Sequence, residues 1–252
     1  MVYLIDTHAH LDMYENWEDI FQDARDNEVK KIVIPSVEAQ YFQKVIDIAN
    51  KKDDLYCMLG IFPTEAKTWK DEYINVMRDL SKEEKVVAIG EIGLDYYWDK
   101  TFVDEQKDIF IKQVKLANEL NLPLVIHDRD AHKDCFDILK NTNNGSGVLL
   151  HCFSGSPEFA LECVREGWFI ALGGVVTFKN ALKAKEVAKV IPLNNLVLET
   201  DSPYLTPVPY RGKENKPSYI RYVAEEIAKL RGENVDKIIE ITSANAEKFF
   251  RI

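Results

Sequence analysis

Long hydrophobic runs are missing from this sequence. No apolar stretch approaches the ~20 residues that a membrane helix needs, so no transmembrane segment is expected. No basic region precedes the strand-like segment Val2 to Ile5, and no small-residue cleavage site follows it, so a secretory signal is not expected either. Cysteine is sparse: Cys57, Cys135, Cys152 and Cys163 include no CxxC pair and read as reduced core or near-core thiols, which suits the cytoplasm. Positive charge is in short supply, with 32 Lys and Arg against 42 Asp and Glu, giving a net charge of −10. That balance argues against a broad basic face for long nucleic acid. It leaves local phosphate recognition open, because bound divalent cations invert the field at a site.

Low-complexity tracts, short repeats and a domain break are also absent, and 46% hydrophobic residues suffice for a core. A single domain over residues 1–252 is expected. Short β-branched runs alternate with longer amphipathic stretches about eight times. The strand candidates are Val2–Asp6, Lys31–Pro35, Leu55–Ile61, Val86–Glu91, Leu124–His127, Val148–His151, Trp168–Leu172 and Leu196–Asp201. Most are almost wholly apolar, as parallel strands buried on both faces are. Helices are expected over 17–28 with Asn16 as cap, over 102–120 capped by Thr101, from Ser156-Pro157 onward, and over 217–230 and 235–250. Eight such units in about 250 residues match an α/β fold of the (β/α)8 TIM barrel type with a C-terminal helical extension. The alternative is a doubly wound open sheet, but its GxGxxG fingerprint is lacking after the first strand, where His8-Ala9-His10 stands. The irregular stretch 202–217 reads as a loop after the last strand.

Titratable residues fall where such a barrel does chemistry. His8 and His10 follow the first strand, Glu91 closes the fourth, His127 the fifth, His151 the sixth and Asp201 the eighth. A lone histidine at a strand end is more often structural than a ligand; four of the chain's five placed this way, with two carboxylates, point to a metal centre. The fifth, His132, reads as a surface residue early in a helix. His8 and His10 alternate in extended chain, so both rings reach the same side. Six donors exceed one tetrahedral site with an open position. They suit two divalent cations sharing Glu91 as a bridge, an arrangement that activates water and stabilises the attacking and leaving oxygens. Imidazole with carboxylate favours Zn²⁺ or Mn²⁺ over an all-oxygen Mg²⁺ cage, though donor softness alone does not choose among the three.

Several segments together resemble one family. They are Asp6-Thr7-His8-Ala9-His10-Leu11-Asp12, Gly90-Glu91-Ile92-Gly93-Leu94-Asp95-Tyr96-Tyr97-Trp98, His127-Asp128-Arg129 and His151-Cys152-Phe153-Ser154-Gly155. Glu199 to Leu205, Arg211-Gly212-Lys213-Glu214-Asn215 and Thr242-Ser243-Ala244-Asn245-Ala246 complete the set. In this order, over essentially the whole chain, they resemble the TatD family of metal-dependent deoxyribonucleases, itself similar to the amidohydrolase-like barrels. The resemblance implies hydrolysis of DNA phosphodiesters, exonucleolytic on single-stranded or frayed ends, with DNA bound transiently, no membrane and no obligate protein partner. It implies His8, His10, Glu91 and Asp201 on one metal, and Glu91, His127 and His151 on the other.

One departure from the family is plain. Where Gly-x-His-Pro is usual after the third strand, this chain has Gly60-Ile61-Phe62-Pro63. Phe62 can neither hold phosphate nor move a proton; it either stacks on a base or covers the pocket rim. In relatives that bridge their metals with a carboxylated lysine, that lysine closes the fourth strand, and Glu91 in its place fits the phosphodiesterase branch. Asp201 and Glu91 are the candidate catalytic carboxylates, with Asp201 orienting water and taking its proton. Arg129, Arg211 and Lys213 are the candidate phosphate contacts. Asp95 is placed at the substrate or as an orienting neighbour of a ligand, alongside Glu199. Tyr96, Tyr97 and Trp98 offer a stacking surface or plain packing. A deacylase of aminoacyl-tRNA would share this metal site; a non-catalytic scaffold would not need every ligand position filled.

Overall fold

The computed structural model describes residues 2–252. Its regular elements, in chain order, are β1 (Leu4–Asp6), α1 (Trp17–Asp26), β2 (Val29–Pro35), α2 (Phe42–Ala49), β3 (Leu55–Leu59) and α3 (Glu72–Leu80). Then come β4 (Val86–Asp95), α4 (Val103–Leu120), β5 (Leu124–Arg129), α5 (His132–Thr142), β6 (Val148–Leu150) and α6 (Pro157–Arg165). β7 (Phe169–Leu172), α7 (Leu182–Val190), β8 (Leu196–Leu198), α8 (Ile220–Arg231) and α9 (Val235–Phe250) complete the chain. The strands form one sheet in chain order. This is the expected (β/α)8 barrel, with α8 and α9 as the C-terminal helices. Among the described residues no helix is long and apolar enough to cross a membrane.

The chain divides into two compact units, residues 1–34 with 151–252 and residues 35–150. In the first, β1 pairs parallel with β2 and β7 with β8, and the Thr7 N–H donates to the Leu198 carbonyl at 3.1 Å, joining β8 to β1. Helix α9 docks here because its sequence places Ile238, Ile239, Thr242, Ala246, Phe249 and Phe250 on one buried stripe. Its polar contacts are as specific: Asn245 donates to the carbonyls of Leu193 and Leu196 at 2.7 Å, and the Ser243 hydroxyl to that of Tyr3 at 2.8 Å.

In the second unit, β3, β4, β5 and β6 pair in that order, all parallel. Every residue of β4 is buried, including the carboxylates Glu91 and Asp95 among its apolar residues. Two strands outrun their sequence-based ends. Ile92 to Asp95 keep pairing with Ile126 to Arg129, so Glu91 and His127 lie within strands. The register shifts between Ile89 and Ile92, and such an irregularity re-aims a side chain, here Glu91.

One helix start agrees with the sequence reading, α1 beginning directly after Asn16, and that of α4 differs by one residue. Neither Asn16 nor Thr101 caps with its side chain; α4 begins after Phe102. Ser156 does cap, accepting from the Phe159 N–H at 3.2 Å, and Pro157 occupies the first turn of α6. The stretch 217–219 is a short 3-10 turn ahead of α8. Cys57, Cys135 and Cys163 are buried, Cys152 is half-buried, and all four are unbridged.

A prediction concerns the anchoring of α9. Glu247 accepts from Lys31 Nζ and the Tyr3 hydroxyl, each at 2.7 Å. Burial works to raise its carboxyl, but those two bonds and the lysine charge outweigh it and leave it below the usual range. The stabilisation is therefore present above the unfolded value of about 4.3 and fades as pH falls through the lower folded value. Glu247→Gln should cost about 1 kcal/mol in urea unfolding at pH 7, with the difference from wild type shrinking as the pH is lowered through the acid range.

Candidate metal centre

In the first unit the candidate ligands are His8 and His10 after β1, His151, and Asp201 after β8. His8 is fully buried and His10 and His151 nearly so. The His8 and His151 rings stack with centroids 4.0 Å apart, and His8 meets His10 at 5.2 Å. Asp201 Oδ1 lies 3.5 Å from His10 Nε2 and 3.9 Å from His8 Nε2. Two groups, His8 with His10 and Asp201 and His8 with His151 and Glu199, each bring three candidate ligand atoms within 4.8 Å of one another. Burial works to raise the Asp201 carboxyl; the His10 hydrogen bond and the charges of the three histidines outweigh it and hold it below its ordinary value.

These side chains are held by backbone geometry that the residue types permit. Asp201 lies beyond the last strand in the left-handed region, φ 53°, which aspartate tolerates better than most residues. The segment is pinned there: the Asp201 N–H donates to the His8 carbonyl at 2.9 Å and the His10 N–H to that of Ser202 at 2.8 Å. Beneath it, the wholly buried Asp6 accepts from Thr200 Oγ1 at 2.6 Å, Thr200 N–H at 3.0 Å and His8 N–H at 3.2 Å. Burial pushes the Asp6 carboxyl up to about 8, against three bonds that favour its anion. Asn215 ties the later loop down, donating to the carbonyls of Thr200 at 2.9 Å and Tyr204 at 2.5 Å. Glu199 Oε1 accepts from the Cys152 N–H at 2.6 Å, while its buried Oε2 has no hydrogen-bond partner and lies 3.7 Å from His151 Nδ1. A carboxylate oxygen left so, among imidazoles, fits a site that takes a divalent cation.

In the second unit Glu91 and His127 come together, with Glu91 Oε1 3.0 Å from His127 Nδ1. His127 Nε2 is taken by Asp95 Oδ2 at 2.9 Å, which fixes the ring and leaves Nδ1 on the Glu91 side. Asp95 has no exposed surface, and its Oδ1 accepts from the N–H groups of Tyr97 at 2.9 Å and Trp98 at 3.4 Å. A direct substrate contact by Asp95 therefore gives way to the orienting role. Burial works to raise its carboxyl, but the His127 bond and charge and the two N–H donors outweigh it. Phe62 is half-buried and sets its ring edge-on to His127, centroids 4.5 Å apart.

The candidate phosphate contacts are spread over both units. Arg129 stacks on Tyr97 at 3.7 Å, Arg211 on Phe178 at 3.8 Å, and Lys213 lies 5.5 Å from the Tyr210 ring. Sequence reasoning passed over Asp6, Thr200 and Asn215 as site residues. All three stand inside the quoted motifs, and that position was the available signal. His132 begins α5 and pairs with Asp128 at 2.8 Å, away from the ligand groups.

Imidazole–carboxylate clusters at the C-terminal ends of barrel strands define the class, a metal-dependent hydrolase barrel. A family model described as TatD related DNase matches residues 5–251, and the chain belongs to that family. An uncharacterized metal-dependent hydrolase of Bacillus subtilis, YabD, is 44% identical with 99% of each chain covered. Its Escherichia coli counterpart YcfH is 35% identical, covering all of this chain and 97% of its own. The crystal structure of YjjV, a TatD homolog from Escherichia coli, superposes with a TM-score of 0.93 at 32% identity, covering 99% of this chain and 98% of that one.

Gly93 exposes how tightly the second unit's ligands are set. Its φ is +140°, and a Cβ there would meet the His127 carbonyl oxygen at 2.0 Å. Gly93→Ala should force β4 from β5 at His127, costing about 3 kcal/mol in thermal or urea unfolding and lowering bound metal. Wild-type stability in that variant would contradict the packing described.

Proposed function

We propose that this chain is a divalent-metal-dependent deoxyribonuclease that removes nucleotides from single-stranded or frayed DNA ends. The observation that carries the reading is a pair of guanidiniums without an ion pair, each on the chain that follows a candidate ligand. Among the described residues Arg129, two positions from His127, and Arg211, on the loop after Asp201, make no salt bridge, in a chain with 42 acidic residues. Cations held on ring faces keep their in-plane N–H donors for an anion, and phosphate matches that fork.

In this proposal His8, His10, Glu91 and Asp201 hold one cation, and Glu91, His127 and His151 the other. The barrel fold supports it, since strand ends distant in sequence share one face. Zn²⁺, Mn²⁺ or Mg²⁺ there supplies an acidified water and neutralises charge on the phosphoryl oxygens. Asp201, kept anionic, orients the attacking water and accepts its proton. Glu91 would serve as a ligand in both sets. Asp95 fixes the His127 ring, so that this imidazole does not rotate as charge develops. Arg129, Arg211 and Lys213 grip the phosphates on either side of the scissile bond. The four unbridged thiols fit a reducing compartment, and the cytoplasm is the location proposed.

The test is incubation with end-labelled single-stranded DNA, with and without chelator, in parallel with aminoacyl-tRNA. Chelator-sensitive shortening of the DNA is expected. Release of the amino acid with the DNA left intact would replace the nuclease reading by that of a deacylase. Asp201→Asn should lower turnover at least about 100-fold while keeping the wild-type melting profile. Retention of more than a few per cent of activity would remove Asp201 from the proton transfer.

A further inference from the structure

Tyr97 and Trp98 are exposed over 55% and 67% of their surface, and their rings meet edge to face with centroids 4.9 Å apart. The Arg129 guanidinium lies on the Tyr97 ring at 3.7 Å and 5.4 Å from Trp98. Two large rings and an unpaired cation standing together at the surface form a platform, since rings of this size are ordinarily packed away in large part. The platform is also rigidly placed. Asp95 holds His127 with one carboxylate oxygen and the N–H groups of Tyr97 and Trp98 with the other. The Tyr96 N–H donates to the Arg129 carbonyl at 2.9 Å, so the turn and the end of β5 move together.

Rings with an open face stack on any base that is free of its own neighbours, and a guanidinium in the same cluster takes the adjoining phosphate. Bases inside a duplex have no free face to offer. We propose that Tyr97, Trp98 and Arg129 form a subsite for one unpaired nucleobase and its phosphate, which makes the enzyme prefer single-stranded ends. This rests on the nuclease reading. It adds where the strand is gripped and what the grip selects.

The metal-loaded protein is titrated with a dye-labelled phosphorothioate oligothymidylate, which resists hydrolysis, and with an abasic strand of the same length and backbone. Wild type should hold the thymidylate about tenfold tighter than the abasic strand. Trp98→Ala should lose that preference and bind the abasic strand as wild type does, whereas Trp98→Phe should keep most of it. Equal wild-type affinity for the two strands would overturn the proposal, as would equal losses on both in Trp98→Ala. Cleavage of an ordinary labelled strand by the same preparation reports on the nuclease reading separately. A strand gripped through its base but left uncut would refute the nuclease and uphold the subsite.

Discussion

Asp6 lies without exposed surface between the end of β1 and the segment after β8, and three donors converge on its carboxylate. Burying an acid there is costly, which is why its carboxyl is pushed up to about 8. The cost is offset only while Thr200 and the His8 N–H stay in place. The same bonds leave the chain before and after them no freedom: His8 and His10 run on from one side, Asp201 from the other. Asp201 is then forced into a left-handed turn that aims its carboxylate at both imidazoles. Much of the geometry of the first ligand set follows from this one buried carboxylate.

Asp95 plays the corresponding part in the other unit. It too is buried, and it too divides its two oxygens, between the ring of His127 and the backbone of the turn that follows β4. In each unit a buried aspartate holds the backbone or ring of candidate ligands in place. Histidine needs such help: a ring with two nitrogens binds a cation well only if the other nitrogen has a fixed partner.

Much of this was legible in the sequence, for physical reasons. Alternating apolar runs and amphipathic stretches announce a barrel because strands buried on both faces cannot be polar. Histidine and carboxylate at the ends of those runs announce the centre. The strand ends themselves were misplaced at β4 and β5, where Ile92 to Asp95 continue a ladder that composition cannot distinguish from a loop carrying charge. Asn16 stands at the cap position of α1 and Thr101 one residue before that of α4, but neither side chain makes the capping bond, because a capping residue type does not fix the backbone angles that bring its oxygen to an N–H group. Asp6, Thr200 and Asn215 act through partners up to 194 positions away, and no local pattern reports such pairs. The stacking of Arg129 on Tyr97 and of Arg211 on Phe178 is likewise a product of the fold.

The proposed hydrolysis requires that the protein hold divalent cations on these histidines and carboxylates. Metal content of the purified protein after exhaustive dialysis, read by plasma mass spectrometry, tests it most directly. The account predicts about two equivalents of Zn²⁺, Mn²⁺ or Mg²⁺ per chain, falling to about one or fewer in His8→Ala. A wild-type protein that retains no metal, or a His8→Ala variant that retains the full complement, would contradict it.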